Sequence, residues 1–170
     1  MVALDKIVKL ATKHEFGSAF IGLLVLMLAV YWRAFGYGFI WDNFTHIVNS
    51  DVLASPSGFF RLWTTHSTAD FWPLSYSLFW IQKQLYGNDP IGFHSVNLAL
   101  FFLSGLLIFK LLKKLNVKAA FFIAAIYIVH PMNVEASVWV FQAKTNLANM
   151  FGLLSLKGMD LKLKSKVPFN

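Results

Sequence analysis

Apolar residues fall in long blocks along this chain, and lysines or polar patches separate the blocks. The first covers residues 16–35 with a single charge, Arg33, near its far end. Twenty residues of helix rise about 30 Å, the thickness of a bilayer's hydrocarbon core. Lys6, Lys9 and Lys13 precede it, and Tyr31, Trp32, Arg33 and Phe35 close it as an interfacial anchor would. A secretory signal has a shorter apolar region and a small-residue cleavage site, so the pattern predicts an uncleaved spanning helix. A second block, residues 94–112, runs into Lys110, Lys113 and Lys114. A third starts at Val117, stays strongly apolar to Val129 and meets His130-Pro131. The lysine-rich turn between these two makes an antiparallel return the simplest path. A fourth, residues 140–156, carries Gln142, Thr145, Asn146 and Asn149 at three- and four-residue spacing, hence on one helix face. It spans only if that face meets protein or water, and no other stretch of the sequence is an obvious cover for it.

The connection over residues 36–90 is too long for a simple link and is rich in aromatic residues. Within it, Pro73 followed by residues 74–85 reads as a proline-opened helix with Leu74, Leu78, Ile81 and Leu85 on one stripe. Twelve residues interrupted by Gln82-Lys83-Gln84 are expected to lie along a membrane surface rather than cross it. The expected fold is therefore an all-α integral membrane protein. It has three or four transmembrane helices and a long outer loop carrying amphipathic surface helices. Its divisions are a tail at 1–15, a membrane domain at 16–156 and a basic tail at 157–170.

Composition supports this class. Of 170 residues, 57% are hydrophobic, 17% aromatic and 14% charged, and mean hydropathy is +0.58. Soluble domains carry roughly 45–50% apolar and about 25% charged residues. Disordered, collagenous and disulfide-rich classes are excluded with them, and the absence of Cys removes disulfides and thiolate metal sites. A net charge of +7 suggests nucleic acid in a soluble chain, but here its placement explains it. The amino tail, the 110–118 turn and the carboxyl tail hold three, four and four lysines, 11 in all, against Arg33, Arg61, Lys83 and Lys144 on the other side. The positive-inside rule puts both termini in the cytoplasm and residues 36–90 outside, with membrane lipids rather than nucleic acid as surroundings. A bacterial inner membrane and an endoplasmic reticulum give the same pattern.

The polar residues with chemical potential gather at the outer edge. Asp42 follows Trp41 just after the first block. A carboxylate there can take a proton from an incoming hydroxyl, or serve as a helix cap or solvated loop acid. His130 and Glu135 stand at the outer end of the third block and Lys144 opens the fourth. A lysine at that depth can bind a lipid phosphate as a point charge, or snorkel and pair with Glu135. His94 and Asn97, about one turn apart, can meet a polar headgroup or pack between helices. No metal-ligand spacing, phosphate-cradling glycine loop or nucleophile elbow is present, so no cofactor or metal is expected.

Five stretches occur in a telling order: Phe39-Ile40-Trp41-Asp42-Asn43, Phe71-Trp72-Pro73-Leu74, Gly92-Phe93-His94-Ser95-Val96-Asn97-Leu98, His130-Pro131-Met132-Asn133-Val134-Glu135-Ala136 and Val138-Trp139. Over residues 39–147 this succession resembles the front of the transmembrane and tetratricopeptide-repeat-containing glycosyltransferases. Those are relatives of the protein O-mannosyltransferases in the GT-C superfamily. The resemblance implies an active site on the non-cytoplasmic face. There a mannose-like sugar leaves a polyprenyl- or dolichyl-phosphate carrier for a protein or other hydroxyl acceptor, usually with inversion. It implies Asp42 as the catalytic carboxylate, with the family's second acid replaced by Asn43. The family's Arg-Lys-acid run reads Ala143-Lys144-Thr145, so only Lys144 carries over, near the carrier phosphate. Glu135, His130, His94 and Asn97 fall in the matched stretches as further substrate-binding positions. Family members continue with more spans and then tetratricopeptide repeats. This chain is accordingly expected to be a front fragment, too short to close a substrate cavity without the downstream part. The competing expectation is a truncated, non-catalytic membrane protein that binds lipid or packs against a partner subunit.

The topology has a direct check. With no native Cys, single cysteines replacing Ser57 and Ser165 should differ towards an impermeant thiol reagent on sealed cells, position 57 reacting and position 165 protected. Equal protection, or labelling of position 165 alone, contradicts the orientation.

Overall fold

The computed structural model describes residues 2–68 and 70–166, with side chains for 14–68 and 70–156. The lysines expected to mark the two tails, Lys6, Lys9, Lys13, Lys157, Lys162, Lys164 and Lys166, lie outside the described side chains. Among the described residues every regular element is helical. Helix α1 (Val2–Tyr31) continues through a 3-10 turn (Trp32–Gly36) into the segment between the two long helices. That segment holds a π turn (Phe44–Val48), α2 (Asp51–Ala54), α3 (Gly58–Thr64) and α4 (Pro73–Tyr86). Then come α5 (Pro90–Lys114), α6 (Ala120–Val129), α7 (Val134–Val138) and α8 (Ala143–Lys166). The stretches expected as tails are thus partly helix, since α1 starts at Val2 and α8 runs to Lys166.

Two helices are long and apolar enough to cross a membrane, His14–Gly36 with mean hydropathy 1.9 and Pro90–Lys114 with 2.0. The pair Ala120–Val129 and Pro131–Val138, bent by 56°, makes a third if it counts as one broken crossing. The count is two to three among the described residues, reaching the expected three only if the bent pair counts as one crossing, because the amides and lysines of α8 keep it out.

Local chemistry sets these boundaries. Helix α5 opens with Pro90 in its first turn and the Asp89 carboxylate accepting the Ile91 N–H at 3.0 Å, and closes with Lys113 and Lys114 near its last carbonyls. Helix α6 ends because Pro131 has no N–H to offer the Tyr127 carbonyl. Asn133 Nδ2 supplies the missing donor at 2.7 Å, and the Tyr31 hydroxyl caps the Ile128 carbonyl at 3.0 Å. A break that would leave buried acceptors is thus closed from α1 and from the chain's own next turn.

Packing divides into two cores. Between the spans, Leu23, Met27 and Tyr31 of α1 meet Phe101, Phe102 and Leu106 of α5 and Ala120, Ala124 and Ile128 of α6. Small residues let α5 and α6 approach closely: a Cβ on Gly105 would sit 3.0 Å from the Ile128 side chain. Between the two long helices in sequence, Ile47, Leu53, Leu62, Tyr76 and Phe79 pack with Phe93, Val140 and Phe141. Polar ties hold this layer. Trp63 and Trp80 indoles each donate at 2.9 Å, to Ser77 Oγ and the Ser55 carbonyl. Lys83 donates to the Ile47 and Val48 carbonyls at 3.2 and 2.9 Å and to the Asn88 side chain. The helix expected over 74–85 is present as α4, but Leu74, Ile81 and Leu85 of its aliphatic stripe are exposed, and its packed side is Tyr76, Ser77, Phe79 and Gln82. An outward apolar stripe suits a helix lying on a membrane surface.

One expectation is overturned in part. Of the polar face of the fourth segment, Asn146 has its cover within the chain, while Gln142 and Thr145 are half-buried and Asn149 is exposed. Asn146 is fully buried, and its Nδ2 donates to Asn97 Oδ1 at 2.8 Å and to the Ala136 carbonyl at 2.7 Å. Asn97, equally buried on α5, donates to the carbonyls of Ala136, Ser137 and Trp139 at 3.0, 2.9 and 3.3 Å. The pattern allowed Asn97 to pack between helices but could not show its partner, which lies 49 residues away.

Candidate functional site

Past α1 the chain turns at Trp41, whose φ of 46° lies in the left-handed region that bulky residues avoid. Such a conformation costs on the order of 1–3 kcal/mol and persists only where its surroundings impose it. Two contacts do so here. The Trp41 indole stands edge-on to Trp139, centroids 5.4 Å apart. Asn43 is fully buried, and its Oδ1 accepts the Phe141 N–H at 3.1 Å. Asp42 is held between these anchors and is exposed.

Lys144, in the first turn of α8, faces the same aromatic surface. Its ammonium lies 3.8 Å from the Phe141 ring centroid and 4.3 Å from that of Trp72. Burial pulls its pKa below the ordinary lysine value, against the opposing fields of Asp70, Asp42 and Glu135. No carboxylate pairs with it directly among the described residues, where the ion pair found is Lys113 with Glu15. The cation is held by ring faces, and three carboxylates surround it at longer range.

The other expected positions separate. Glu135 is exposed and accepts from Gln142 Nε2 at 2.5 Å, while Thr145 donates to Gln142 Oε1 at 2.6 Å. His130 is exposed, and its Nδ1 accepts the Met132 N–H at 3.2 Å, capping the turn that follows α6. The Asn97 amide is engaged by the backbone and by Asn146. His94 is 2% exposed, and neither ring nitrogen has a hydrogen-bond partner. Together with Asn43, whose Nδ2 is also unpartnered, it lines an apolar cavity of about 190 Å³ behind the Asp42 loop. Asp42, Glu135 and Lys144 therefore share one site, His94 lies beside it, and Asn97 and His130 hold the fold around it.

Sequence reasoning passed over Asp70, His46 and Tyr76. His46 stacks on Phe141 at 4.4 Å, and its Nδ1 lies 2.6 Å from the Tyr76 hydroxyl. These two line a polar recess of about 300 Å³ with Thr45, Asp51, Arg61 and Thr68. The signals were local: Asp70 directly precedes Phe71-Trp72-Pro73-Leu74, and His46 lies four residues, about one helical turn, after Asp42. Among the described residues no three His, Asp or Glu side chains converge as metal ligands.

Fold and site together define an all-helical chain with two to three candidate membrane-spanning helices and a carboxylate, lysine and aromatic cluster in the segments flanking them. The chain is distantly homologous to a protein O-mannosyl-transferase of Caenorhabditis elegans, with 24% identity over 153 residues. The match covers 79% of this chain and 22% of that protein, so the chain spans about a fifth of its relative's length. No family model matches the chain. No solved structure matches it.

Burial, with the Asp70 charge behind it, pushes the Tyr76 phenol up to about 12. Because the folded value lies above that of a free phenol, Tyr76 adds stability below about pH 10 that is lost as pH rises toward 12. The difference absorbance at 295 nm between the native chain and Tyr76→Phe should show a midpoint near 12. A midpoint near 10 contradicts the buried pair.

Proposed function

We propose that the chain is the amino-terminal portion of a membrane glycosyltransferase. It moves a mannose-like sugar from a polyprenyl- or dolichyl-phosphate carrier to a hydroxyl of a protein or other acceptor, on the non-cytoplasmic face. The observation that carries this reading is Lys144, a cation held on two aromatic faces without a direct carboxylate partner, in the field of Asp42 on its strained turn. The distant mannosyl-transferase relative supports the class of reaction.

Asp42 accepts the proton of the acceptor hydroxyl as its oxygen attacks the anomeric carbon of the sugar. The bond from that carbon to the carrier phosphate oxygen breaks, and its electron pair stays on the phosphate. The phosphate gains charge as the bond breaks, so an ammonium beside it stabilises the transition state more than the ground state. Holding Lys144 on π faces keeps it desolvated and preorganised for this, since a direct salt bridge would have to be broken first. The exposed Trp41 and Trp72 rings offer flat apolar surfaces for a sugar face or an isoprenoid stem. Asn43, buried and bound to Phe141, positions the Asp42 turn and takes no proton.

The test is transfer from labelled polyprenyl-phosphate mannose by membranes holding equal amounts of inserted protein, with any downstream product co-expressed. Asp42→Asn should lower the rate about a hundred- to ten-thousand-fold, the range for loss of a general base. Lys144→Ala should raise KM for the lipid donor or lower kcat. Asn43→Asp, although it matches the family's acidic pair, places a carboxylate at a fully buried position and should destabilise the turn and lower the rate. Full transfer by Asp42→Asn contradicts the assignment, and no transfer by the native chain with any donor favours a non-catalytic lipid-binding role.

A further inference from the structure

The opposite ends of the spans carry a different chemistry. Helix α5 has Lys110, Lys113 and Lys114 in its last turns, where the span Pro90–Lys114 ends and the span His14–Gly36 begins. Lys113 and Glu15 tie these ends together at 2.5 Å. A recess of about 310 Å³ opens there, lined by Phe16, Phe109, Glu15 and the three lysines. A narrow crevice of about 30 Å³ is lined by Leu107, Leu111 and Leu153, again with Lys110 and Lys114. Residues four apart share a helix stripe, so Lys110 and Lys114 form a ridge bordering both apolar hollows. The Lys110 ammonium rests 4.3 Å from the centroid of the Phe16 ring.

We propose that this ridge binds an anionic diacyl phospholipid. The headgroup phosphate sits at Lys110 and Lys114, and the acyl chains lie against Phe16 and Phe109 on one side and Leu107, Leu111 and Leu153 on the other. Three features select this occupant. Among the described residues lining the recess, three lysines and Glu15 carry a formal charge of +2, which favours an anionic headgroup over a zwitterionic one. The apolar walls give acyl chains a surface that a soluble phosphate cannot use. The ridge lies at the ends of both long spans, the depth at which hydrocarbon gives way to headgroups. This inference stands apart from the proposed transfer reaction, whose residues lie around the other end of α5.

The experiment is native mass spectrometry of the purified full chain in detergent, titrated in parallel with dioleoylphosphatidylglycerol and dioleoylphosphatidylcholine. Phosphatidylglycerol should be retained preferentially, with affinity falling as salt rises. Lys110→Gln with Lys114→Gln should weaken it roughly thirty-fold, at about fivefold per lysine near an anionic headgroup, and leave phosphatidylcholine unchanged. Arginine at both positions should restore binding, and glycerol 3-phosphate should not compete. Lys118→Gln, outside the recess, should behave as the native chain. Equal retention of the two lipids, salt-independent binding, an unaffected double variant or displacement by glycerol 3-phosphate each overturns the proposal. Lipid preference and salt dependence are read on the native chain, so they decide the matter even if the double variant does not fold.

Discussion

A carboxamide buried among apolar helices must find every partner inside the protein, because lipid offers none. Asn97 meets this constraint by reaching three carbonyls in the segment between α6 and α8 while accepting from Asn146. The arrangement ties the middle of the chain to α8 through amides that are fully buried. The candidate site depends on it. Trp139, whose carbonyl takes one of these bonds, carries the ring that stands against Trp41, and Lys144 lies two residues before Asn146. A shift of this segment would move Phe141, the ring beneath Lys144, and the N–H that anchors Asn43.

The same economy closes the break at Pro131. Removing one backbone donor would leave an acceptor bare, but Asn133 and Tyr31 satisfy the carbonyls of Tyr127 and Ile128. The irregular backbone between α6 and α8 is therefore pinned by side chains at both ends. Non-helical backbone at membrane depth is tolerated only when protein covers it in this way. It also brings Glu135 toward the field of Lys144 without pairing the two directly. The two ends of α5 thus differ in kind. One is crowded with aromatic rings and hydrogen-bonded turns, the other with lysines over apolar walls.

Much of the fold was legible in the pattern because hydrophobic length alone decides which helices can cross a bilayer. Residues 94–112 and α5 nearly coincide, as do the proline-opened segment from Pro73 and α4. The site was legible where a residue stood out against its neighbours, as Asp42 and Lys144 do at the ends of apolar blocks. It was not legible where function or fold depends on distant pairing. Asn97 read as a headgroup contact or a residue packed between helices, and the second holds, but nothing local shows that residues 136–146 fold over it. His94 left the same two alternatives open, and it is buried beside an apolar cavity that it lines with Asn43. The left-handed turn at Trp41 has no sequence signature, since glycine is the residue that advertises such a backbone.

The most direct measurement is a double-mutant cycle on the amide pair. Asn97→Leu, Asn146→Leu and the double change would be unfolded in detergent while the six tryptophans report by fluorescence. Each orphaned buried group costs about 1–3 kcal/mol, and Asn97 leaves more of them than Asn146. The account predicts that Asn97→Leu is the more damaging single change. It also predicts a coupling of about 0.5–1.5 kcal/mol between the two, in the range of interhelical hydrogen bonds in membranes. Strictly additive losses, or a native-like stability for Asn97→Leu, would contradict it.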